Sequence, residues 1–321
     1  MSTDSDENLF FEDELKKLKK ENSKLRLQLG LGKSLADELE KQKKIADDSR
    51  TAAQVAEEKS SKLLDLLVGS VNYASRLQRG QLPRQTRIDG RFASFASVWE
   101  PRDTIGGDLY WLSSSQNQGP FVLAVADCTG HGVPGAMLSL LVSNSLERIY
   151  ANDTTEDPAS ALMSLDHYVR TGLNQDRADS ESDDGCDAAV LRIDRDKQTI
   201  EFAGAKLGLF QVSSDGLLTR HTGSRCSLGY QDAVIEADKP VLKTIGYSEG
   251  DIFAIVTDGL TDQIGGASGK TSYGYRRLEE VLKANCAASA EEITAAMKHD
   301  FAAWQGANAR RDDVTAVVFR L

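Results

Sequence analysis

The feature of this sequence that most constrains its fold is a heptad repeat that keeps one register through the first eighty residues. Two series of positions, each spaced by seven, predict the seam of a coiled coil. The first series is Phe11, Leu18, Leu25, Gly32, Leu39, Ala46, Ala53, Ser60, Leu67 and Ala74. The second series is Leu15, Asn22, Leu29, Ala36, Lys43, Arg50, Glu57, Leu64 and Val71. No proline interrupts this stretch.

Asn22 occupies a seam position, and a polar residue there is a known way of fixing a parallel dimer. The alternative is a solvated single helix or a partly disordered arm, but an isolated polar helix is only marginally stable. Between Lys43 and Ser60 the seam is poor, so the helices are held loosely there or contact something else. We therefore expect residues 1–62 to form a coiled-coil arm that makes a homodimer.

Residues 63–83 form the junction between this arm and the rest of the chain. Leu67, Val71 and Leu77 lie here at helical spacing, and Gly80 and Pro83 end the helix. A helix that leaves a coiled coil and enters a globular domain can transmit rotation or order, whereas the plainer alternative is a passive connector. We expect Asn22 in the arm and these three apolar residues to be regulatory positions.

Charge separates the arm from the remainder of the chain. Residues 1–80 carry 15 acidic and 15 basic side chains, so the formal charge of −11 lies entirely in residues 81–321. All six prolines also lie at or after Pro83. Because an acidic domain repels phosphate backbones, nucleic-acid binding is disfavoured.

The cysteines and the apolar runs indicate where the protein resides. Cys128, Cys186, Cys226 and Cys286 lack C-x-x-C spacing, which predicts neither a zinc site nor a disulfide framework and fits a reducing cytoplasm. No apolar run approaches the roughly 20 residues of a membrane span. The acidic N-terminus also lacks the apolar core of a signal peptide. We expect a cytoplasmic protein without membrane contact.

Residues 84–321 mix strands and helices that do not alternate strictly, which favours a layered α+β fold. Strands are predicted at 91–100, 121–127, 187–193, 199–203, 207–212, 241–245, 251–256 and 314–320. Helices are predicted at 134–150, 158–173, 273–284 and 290–304, with an acidic loop at 174–186.

Aspartates stand at the ends of several predicted strands, at Asp108, Asp127, Asp258 and the pair Asp312 and Asp313. One such residue is more commonly a helix cap or a turn residue, but four strand ends indicate a shared site. Converging carboxylates repel one another unless a cation lies between them. All-oxygen sites suit Mg²⁺ or Mn²⁺, and the glycines beside these residues are expected to let the backbone approach the ions.

Taken in order, four motifs resemble the bacterial metal-dependent Ser/Thr phosphatases of type 2C, in the branch that contains SpoIIE and RsbU. They are Ile105-Gly106-Gly107-Asp108-Leu109-Tyr110, Ala126-Asp127-Cys128-Thr129-Gly130-His131-Gly132-Val133-Pro134-Gly135-Ala136, Thr257-Asp258-Gly259-Leu260-Thr261-Asp262 and Arg311-Asp312-Asp313-Val314-Thr315. The resemblance covers about residues 76–321. The stretch Asp184-Gly185-Cys186-Asp187-Ala188-Ala189-Val190 is similar to the SiaA-like variant.

The resemblance implies a four-layer αββα sandwich with two metal ions, Mn²⁺ or Mg²⁺, in the cleft between the sheets. Water activated by the ions would attack phosphorus in line, without a phosphoenzyme. The implied ligands are Asp127 as the bridge, the Cys128 carbonyl, Asp108 for one metal, and Asp258 with Asp312, or alternatively Asp313, for the other.

Further residues near these motifs have two interpretations each. Arg102 would hold the substrate phosphate by a bidentate contact, or form a surface salt bridge. His131 would protonate the leaving alkoxide, or support a metal ligand from outside. Asp187, Asp183 and Asp184 could reach a third metal, although a solvated acidic loop accounts for the latter two.

A rival motif, Gly130-x-Gly132-x-x-Gly135, fits a dinucleotide-binding fingerprint after a strand. That interpretation fails because residues 158–173 are predicted as a helix where a second strand should follow.

The function expected from the sequence is therefore a phosphoserine/phosphothreonine protein phosphatase. By resemblance, its substrate would be a small phosphorylated signalling regulator, such as an anti-sigma-factor antagonist of the STAS type. The alternative is a catalytically weak coiled-coil scaffold that binds such a regulator.

Overall fold

The structure is a computed structural model that describes residues 4–114, 119–151, 156–177, 179–180, 182–231 and 238–321, with side chains from residue 12 onward. The chain divides into two compact units, Met1–Gly69 and Ser70–Leu321. The side chain of Phe11, the first expected seam residue, lies outside the described residues.

Helix α1 is one continuous helix, Asp4–Gln81. Its sequence is rich in Lys, Glu, Leu and Ala, which favour helix, and it contains no proline. Every described side chain from Glu12 to Ser70 is exposed, including the seam leucines Leu18 and Leu25. The predicted long helix is confirmed, while the pairing of two such helices stays a prediction.

Two antiparallel five-stranded sheets form the second unit. The first has the order β1-β12-β9-β6-β7. Its strands are β1 (Ser94–Glu100), β6 (Leu209–Val212), β7 (Leu218–His221), β9 (Ile252–Val256) and β12 (Val314–Arg320). The second has the order β2-β3-β4-β5-β8. Its strands are β2 (Leu109–Leu112), β3 (Phe121–Cys128), β4 (Cys186–Asp194), β5 (Thr199–Ala205) and β8 (Lys243–Gly246).

The helices of this unit are α2 (Gln85–Ile88), α3 (Gly132–Ile149), α4 (Pro158–Gly172), α5 (Asp258–Thr261), α6 (Gly274–Ala284) and α7 (Ala290–Gln305). Four of them cover the outer faces of the two sheets. Helices α3 and α4 pack on the second sheet, and α6 and α7 pack on the first. With the apolar layer between the two sheets, this arrangement confirms the expected four-layer sandwich.

Period-2 alternation in the buried strands decides which side chains face the cleft between the sheets. In β3, Leu123 and Val125 face the other sheet, whereas Ala124 and Ala126 face helices α3 and α4. The alternation places Asp127 on the side of the cleft, at the end of its strand. Strands buried on both faces read as continuous apolar runs, which is why this one was predictable.

Several boundaries and short elements differ from the sequence-based expectation. Strand β1 begins at Ser94 rather than at residue 91, because Gly90, at φ +76°, closes a turn just before it. Strand β6 begins at Leu209 rather than at 207, and β8 at Lys243 rather than at 241. The sequence did not predict β2, β7, α2, α5 or the small hairpin of β10 (Ile264–Gly265) and β11 (Thr271–Ser272).

Among the described residues, no helix is both long enough and apolar enough to cross a membrane.

Candidate active site

Five aspartates meet at one edge of the sandwich, delivered by both sheets. Asp127 is the last residue but one of β3 and lies opposite Asp187 in the register of β3 and β4. Asp108 immediately precedes β2, and Asp258 begins α5 after β9. The carboxyl group of Asp127 lies within hydrogen-bond reach of Asp108 and of Asp258. Asp312 is close enough for its charge to act on Asp127. The structure therefore brings together the carboxylates that the sequence singled out.

Burial and mutual repulsion change the acidity of this carboxylate cluster, which consists of Asp108, Asp127, Asp187, Asp258 and Asp312. Burial raises the pKa of Asp127 well above its usual range, and the negative charges of the other four add to the rise. Burial likewise raises the pKa of Asp108 to about 7. Negative charges held this close favour a bound proton or a bound cation.

Asp108 connects the two sheets through its hydrogen bonds. The Thr257 hydroxyl, at the end of β9, donates to Asp108 Oδ2 at 2.7 Å. The same hydroxyl oxygen accepts from the Thr315 N–H of β12 at 2.9 Å. Trp99 Nε1 donates to the Asp108 carbonyl at 2.9 Å. The carboxylate is thus held rigidly at the cleft, by partners that the sequence analysis did not identify.

Asp312 and Asp313 have different surroundings, although they are adjacent. Asp313 is buried, and its two carboxylate oxygens accept from the backbone N–H groups of Arg102 at 2.6 Å and Gly107 at 2.5 Å. Asp312 accepts only from the N–H of Asp313 at 2.9 Å, among the contacts of the described residues. Asp313 therefore holds the loop that leads to Asp108, while the carboxylate of Asp312 lies near enough to Asp127 for the two charges to repel each other.

Glycine at position 107 is required by a close approach of two backbone segments. A Cβ atom there would lie 2.5 Å from the Cys128 carbonyl oxygen and 2.7 Å from that of Gly130. These contacts bring the Cys128 carbonyl beside the loop of Asp108. The glycine thus packs one loop against another, while the expected approach of the backbone to an ion stays a prediction.

Gln78, near the end of α1, is a residue that the sequence analysis missed. It is buried, and its Nε2 donates to the Gly106 carbonyl at 2.5 Å and to Ser139 Oγ on α3 at 2.9 Å. The Gly106 N–H donates back to Gln78 Oε1 at 3.3 Å. The neighbouring Leu77, expected to be regulatory, is exposed. The end of α1 therefore contacts the Asp108 loop through a polar side chain, for which hydrophobic periodicity carries no signal.

The rim of the site carries an ion pair between His131 and a residue that the sequence did not indicate. His131 Nδ1 lies 2.7 Å from Asp103 Oδ2, and both side chains are about half exposed. Arg102 is exposed, and its Nη1 donates to the Arg311 carbonyl at 3.2 Å. The salt bridge weighed for Arg102 is not found among the described residues.

The three aspartates that were expected to reach a third metal lie in different surroundings. Asp187 lies in the cluster, where its Oδ1 accepts from Ser227 Oγ at 2.6 Å. Asp183 is exposed and accepts from the Gln231 N–H at 3.0 Å. The Asp184 N–H donates to Gln175 Oε1 at 2.8 Å, so this residue shapes the loop.

Within the described part of the chain, no group of three or more His, Cys, Asp or Glu side chains is placed so that it could hold a metal ion as it stands. The chemistry of the donors nevertheless fits a hard divalent cation, because the cluster offers carboxylate oxygens and a carbonyl oxygen without nitrogen or sulfur ligands. The mutual repulsion that raises the pKa of Asp127 and of Asp258 would be relieved by a bound cation.

A family profile described as Stage II sporulation protein E (SpoIIE) matches residues 117–321. The chain belongs to the SpoIIE family. A comparison with curated proteins finds no match. Among solved structures, the SiaA-PP2C domain of Pseudomonas aeruginosa is similar with a TM-score of 0.70 and 29% identity, over 80% of this chain and 98% of that one.

Two more distant structures share the fold of this SpoIIE-family chain. The RsbU and RsbW domains of a Mycobacterium tuberculosis protein give a TM-score of 0.55 at 17% identity, over 70% of this chain and 59% of that one. The phosphatase domain of SpoIIE from Bacillus subtilis, with a fragment of its regulatory domain, gives 0.55 at 14%, over 71% and 63%. The expected family is confirmed, and the second unit is a Ser/Thr phosphatase domain of type 2C.

Proposed function

We propose that this chain is a phosphoserine/phosphothreonine protein phosphatase that uses two divalent cations, Mn²⁺ or Mg²⁺. The observation that carries the proposal is the meeting of carboxylates from two sheets at Asp127, which lies within hydrogen-bond reach of Asp108 and Asp258. Such a cluster of buried negative charge is costly without a cation, and it lies in a domain of a phosphatase family.

The contacts support one assignment of ligands. Asp127 lies between Asp108 and Asp258, which suits a bridging carboxylate. The Cys128 carbonyl beside Gly107 supplies a further oxygen. We assign Asp312 rather than Asp313 to the metal, because the oxygens of Asp313 already accept backbone N–H groups.

When bound, two cations at this site would lower the pKa of a water molecule and neutralise the phosphoryl oxygens. The chain's own residues position the substrate and move the proton. Asp103 holds His131 Nδ1, which leaves Nε2 directed elsewhere as the proton donor to the leaving alkoxide. Arg102 pairs with a carbonyl rather than with a carboxylate, so its charge stays free to contact the substrate phosphate.

The proposed substrate is a small phosphorylated signalling regulator of the STAS type. The similarity of the chain to the SpoIIE and RsbU branch supports this choice. We further propose that the protein acts in the cytoplasm, which its four free cysteines support.

We also propose that α1 makes a homodimer, with an arm at 1–62, a junction helix at 63–83 and the phosphatase domain at 84–321. The exposed seam leucines Leu18, Leu25 and Leu39 support a partner helix. In the junction, Leu67 is exposed and Val71 is half-buried, and these positions would carry a rotation of the arm toward Gln78.

The enzyme proposal is tested with a phosphoserine peptide assayed with and without Mn²⁺. The parent should show metal-dependent turnover, and Asp127→Asn should lower it by about a thousandfold, since lost metal chemistry amounts to several kcal/mol. The exposed Asp196→Asn variant is the matched control. Absence of metal-dependent turnover in the parent would overturn the proposal and favour the scaffold.

The dimer is tested by sedimentation of the full chain and of a chain that lacks residues 1–62. We expect a dimer for the first and a monomer with an altered rate for the second. An unchanged dimer after the deletion shows that the arm is not the dimerising element.

A further inference from the structure

Lys206 lies in a strained turn directly after β5. Its φ is +59°, a region that residues with side chains rarely adopt. The turn is closed by the Leu207 N–H, which donates to the Ala205 carbonyl at 2.7 Å, and such a three-residue γ-turn is rare and strained at positive φ. Strain of this kind clusters at functional sites.

The Lys206 side chain reaches the carboxylate cluster. Its Nζ lies 3.6 Å from Asp187 Oδ1, and Asp187 is the cross-strand partner of Asp127. Cross-strand neighbours have Cβ atoms about 4.5–5.5 Å apart. The ammonium group is therefore separated from the centre of the cluster by a single carboxylate.

A structural ion pair does not account for this arrangement. The Lys206 side chain is 52% exposed, and ion pairs at such exposure contribute little to stability. Asp187 Oδ1 has a second, shorter bond from Ser227 Oγ at 2.6 Å, so the carboxylate is held without the lysine. A glycine at position 206 would also relieve the positive φ, yet the chain has lysine there.

We propose that Lys206 is a phosphate-binding residue, whose ammonium group donates to a phosphoryl oxygen of the substrate monoester at the edge of the carboxylate cluster. The proposal rests on the phosphatase function proposed above and adds one group to that site. A phosphomonoester dianion approaching five carboxylates is repelled, and the positive charge of a lysine beside them lowers this repulsion. The half-exposed side chain is free to turn from Asp187 toward the incoming phosphate.

The test compares Lys206→Met, Lys206→Arg and Lys206→Gly in the full chain with Mn²⁺. Three quantities are measured for each: KM and kcat on a phosphoserine peptide, the inhibition constant of inorganic phosphate, and the rise in melting temperature that phosphate causes. Lys197→Met is the matched control, because Lys197 pairs with Asp194 at 3.0 Å at the opposite end of the same two strands.

Loss of a charge-assisted hydrogen bond should raise KM and the phosphate inhibition constant of Lys206→Met about tenfold, with kcat changed by less than about threefold. Lys206→Arg should stay within about threefold of the parent because it keeps the charge. Lys206→Gly should melt at a higher temperature and yet bind phosphate as weakly as Lys206→Met. Unfolding then cannot explain the weaker binding.

The proposal is overturned if phosphate inhibits Lys206→Met as strongly as the parent, or if Lys197→Met shows the same loss. A fall in kcat with unchanged KM would also overturn it. If the parent itself shows no metal-dependent turnover, the proposed function fails. The thermal shift with phosphate then still decides whether Lys206 binds the anion.

Discussion

Leucine side chains have opposite surroundings in the two units of the chain. In the helix of the first unit, Leu25 and Leu39 expose 54% and 62% of their surface, whereas Leu123 and Leu191 in the second sheet expose none. The sandwich buries its apolar surface between its own layers. A single helix has no second layer and is only marginally stable when isolated. We infer that the domain is ordered by itself and that the arm depends on a partner helix.

Replacing a leucine by alanine in each unit should show the largest difference between them. Leu191→Ala should destabilise the domain by about 2–5 kcal/mol, because it removes buried methyl groups and leaves a cavity. Leu25→Ala should leave unfolding of the domain unchanged within about 0.5 kcal/mol and weaken the dimer instead. Chemical denaturation and sedimentation of both variants measure the two effects. If both substitutions destabilised the domain equally, the inference that the domain is ordered without the arm would be refuted.

Substitution of Gln78 tests the contact between the end of α1 and the Asp108 loop. Gln78→Ala removes the bonds to Gly106 and Ser139 and leaves buried backbone groups unpaired, which costs about 1–3 kcal/mol. Turnover should also fall, because Gly106 lies two residues from Asp108.

Gln81→Ala provides the control for this variant, since Gln81 is exposed at the end of the same helix. Both variants are compared by thermal melting and by steady-state kinetics. If the two melt alike, the contact of Gln78 has no role in anchoring the helix.

The pH dependence of stability tests the repulsion between the negative charges of the carboxylate cluster. The pKa of Asp108 is raised to about 7 in the folded, metal-free protein, compared with about 3.9 in an unfolded chain. Because the folded value is the higher one, stability is fully present below about pH 4 and is lost as the pH rises through about 7. Each such group contributes up to about 1.4 kcal/mol per pH unit.

Melting temperatures in EDTA between pH 5 and pH 8 measure this loss. We expect a fall with rising pH, which Mn²⁺ should reverse most strongly at pH 8, where protons no longer compete for the carboxylates. Asp108→Asn should flatten the profile. A metal-free protein that melts higher at pH 8 than at pH 5 would contradict the explanation.

The smallest expected effect concerns the arm alone. Asn22→Leu places an apolar residue at a seam position, which should make the arm more stable but less specific for two strands. Sedimentation should then show trimers or tetramers beside dimers, while kcat on the peptide changes little. A mass distribution identical to that of the parent would show that Asn22 does not set the number of strands.

The sequence predicted the long elements of the fold because each carries enough pattern to be recognised. The strand predicted at 121–127 is found at Phe121–Cys128, and the helix at 158–173 is found at Pro158–Gly172. Strands β2 and β7 have four residues each, which is too short for alternation to be distinguished from chance. Helix α5 follows β9 almost directly, so no turn signal separates them.

The sequence could predict the site residues that belong to a motif, but not the residues that hold them in place. The aspartates of the cluster could be named from the sequence, because each lies close to the end of a strand and within a recognisable motif. Their partners could not, because they meet only in the folded chain: Thr257 is 149 residues from Asp108, and Gln78 is 28 residues from Gly106. The difference between Asp312 and Asp313 likewise depends on backbone N–H groups that lie far away in the sequence.

Strand β12 follows the other strands in the sequence, yet it lies between β1 and β9 in the first sheet. The second sheet is complete once Gly246 has been made, whereas β1 waits for a partner that is synthesised much later. Asp313, which precedes β12, lies 211 residues from its contact at Arg102. We therefore expect a growing chain to be able to pair the strands of the second sheet before those of the first. Until β12 has been made, the edge of β1 has no partner strand, and such unpaired edges make unfinished chains prone to aggregation.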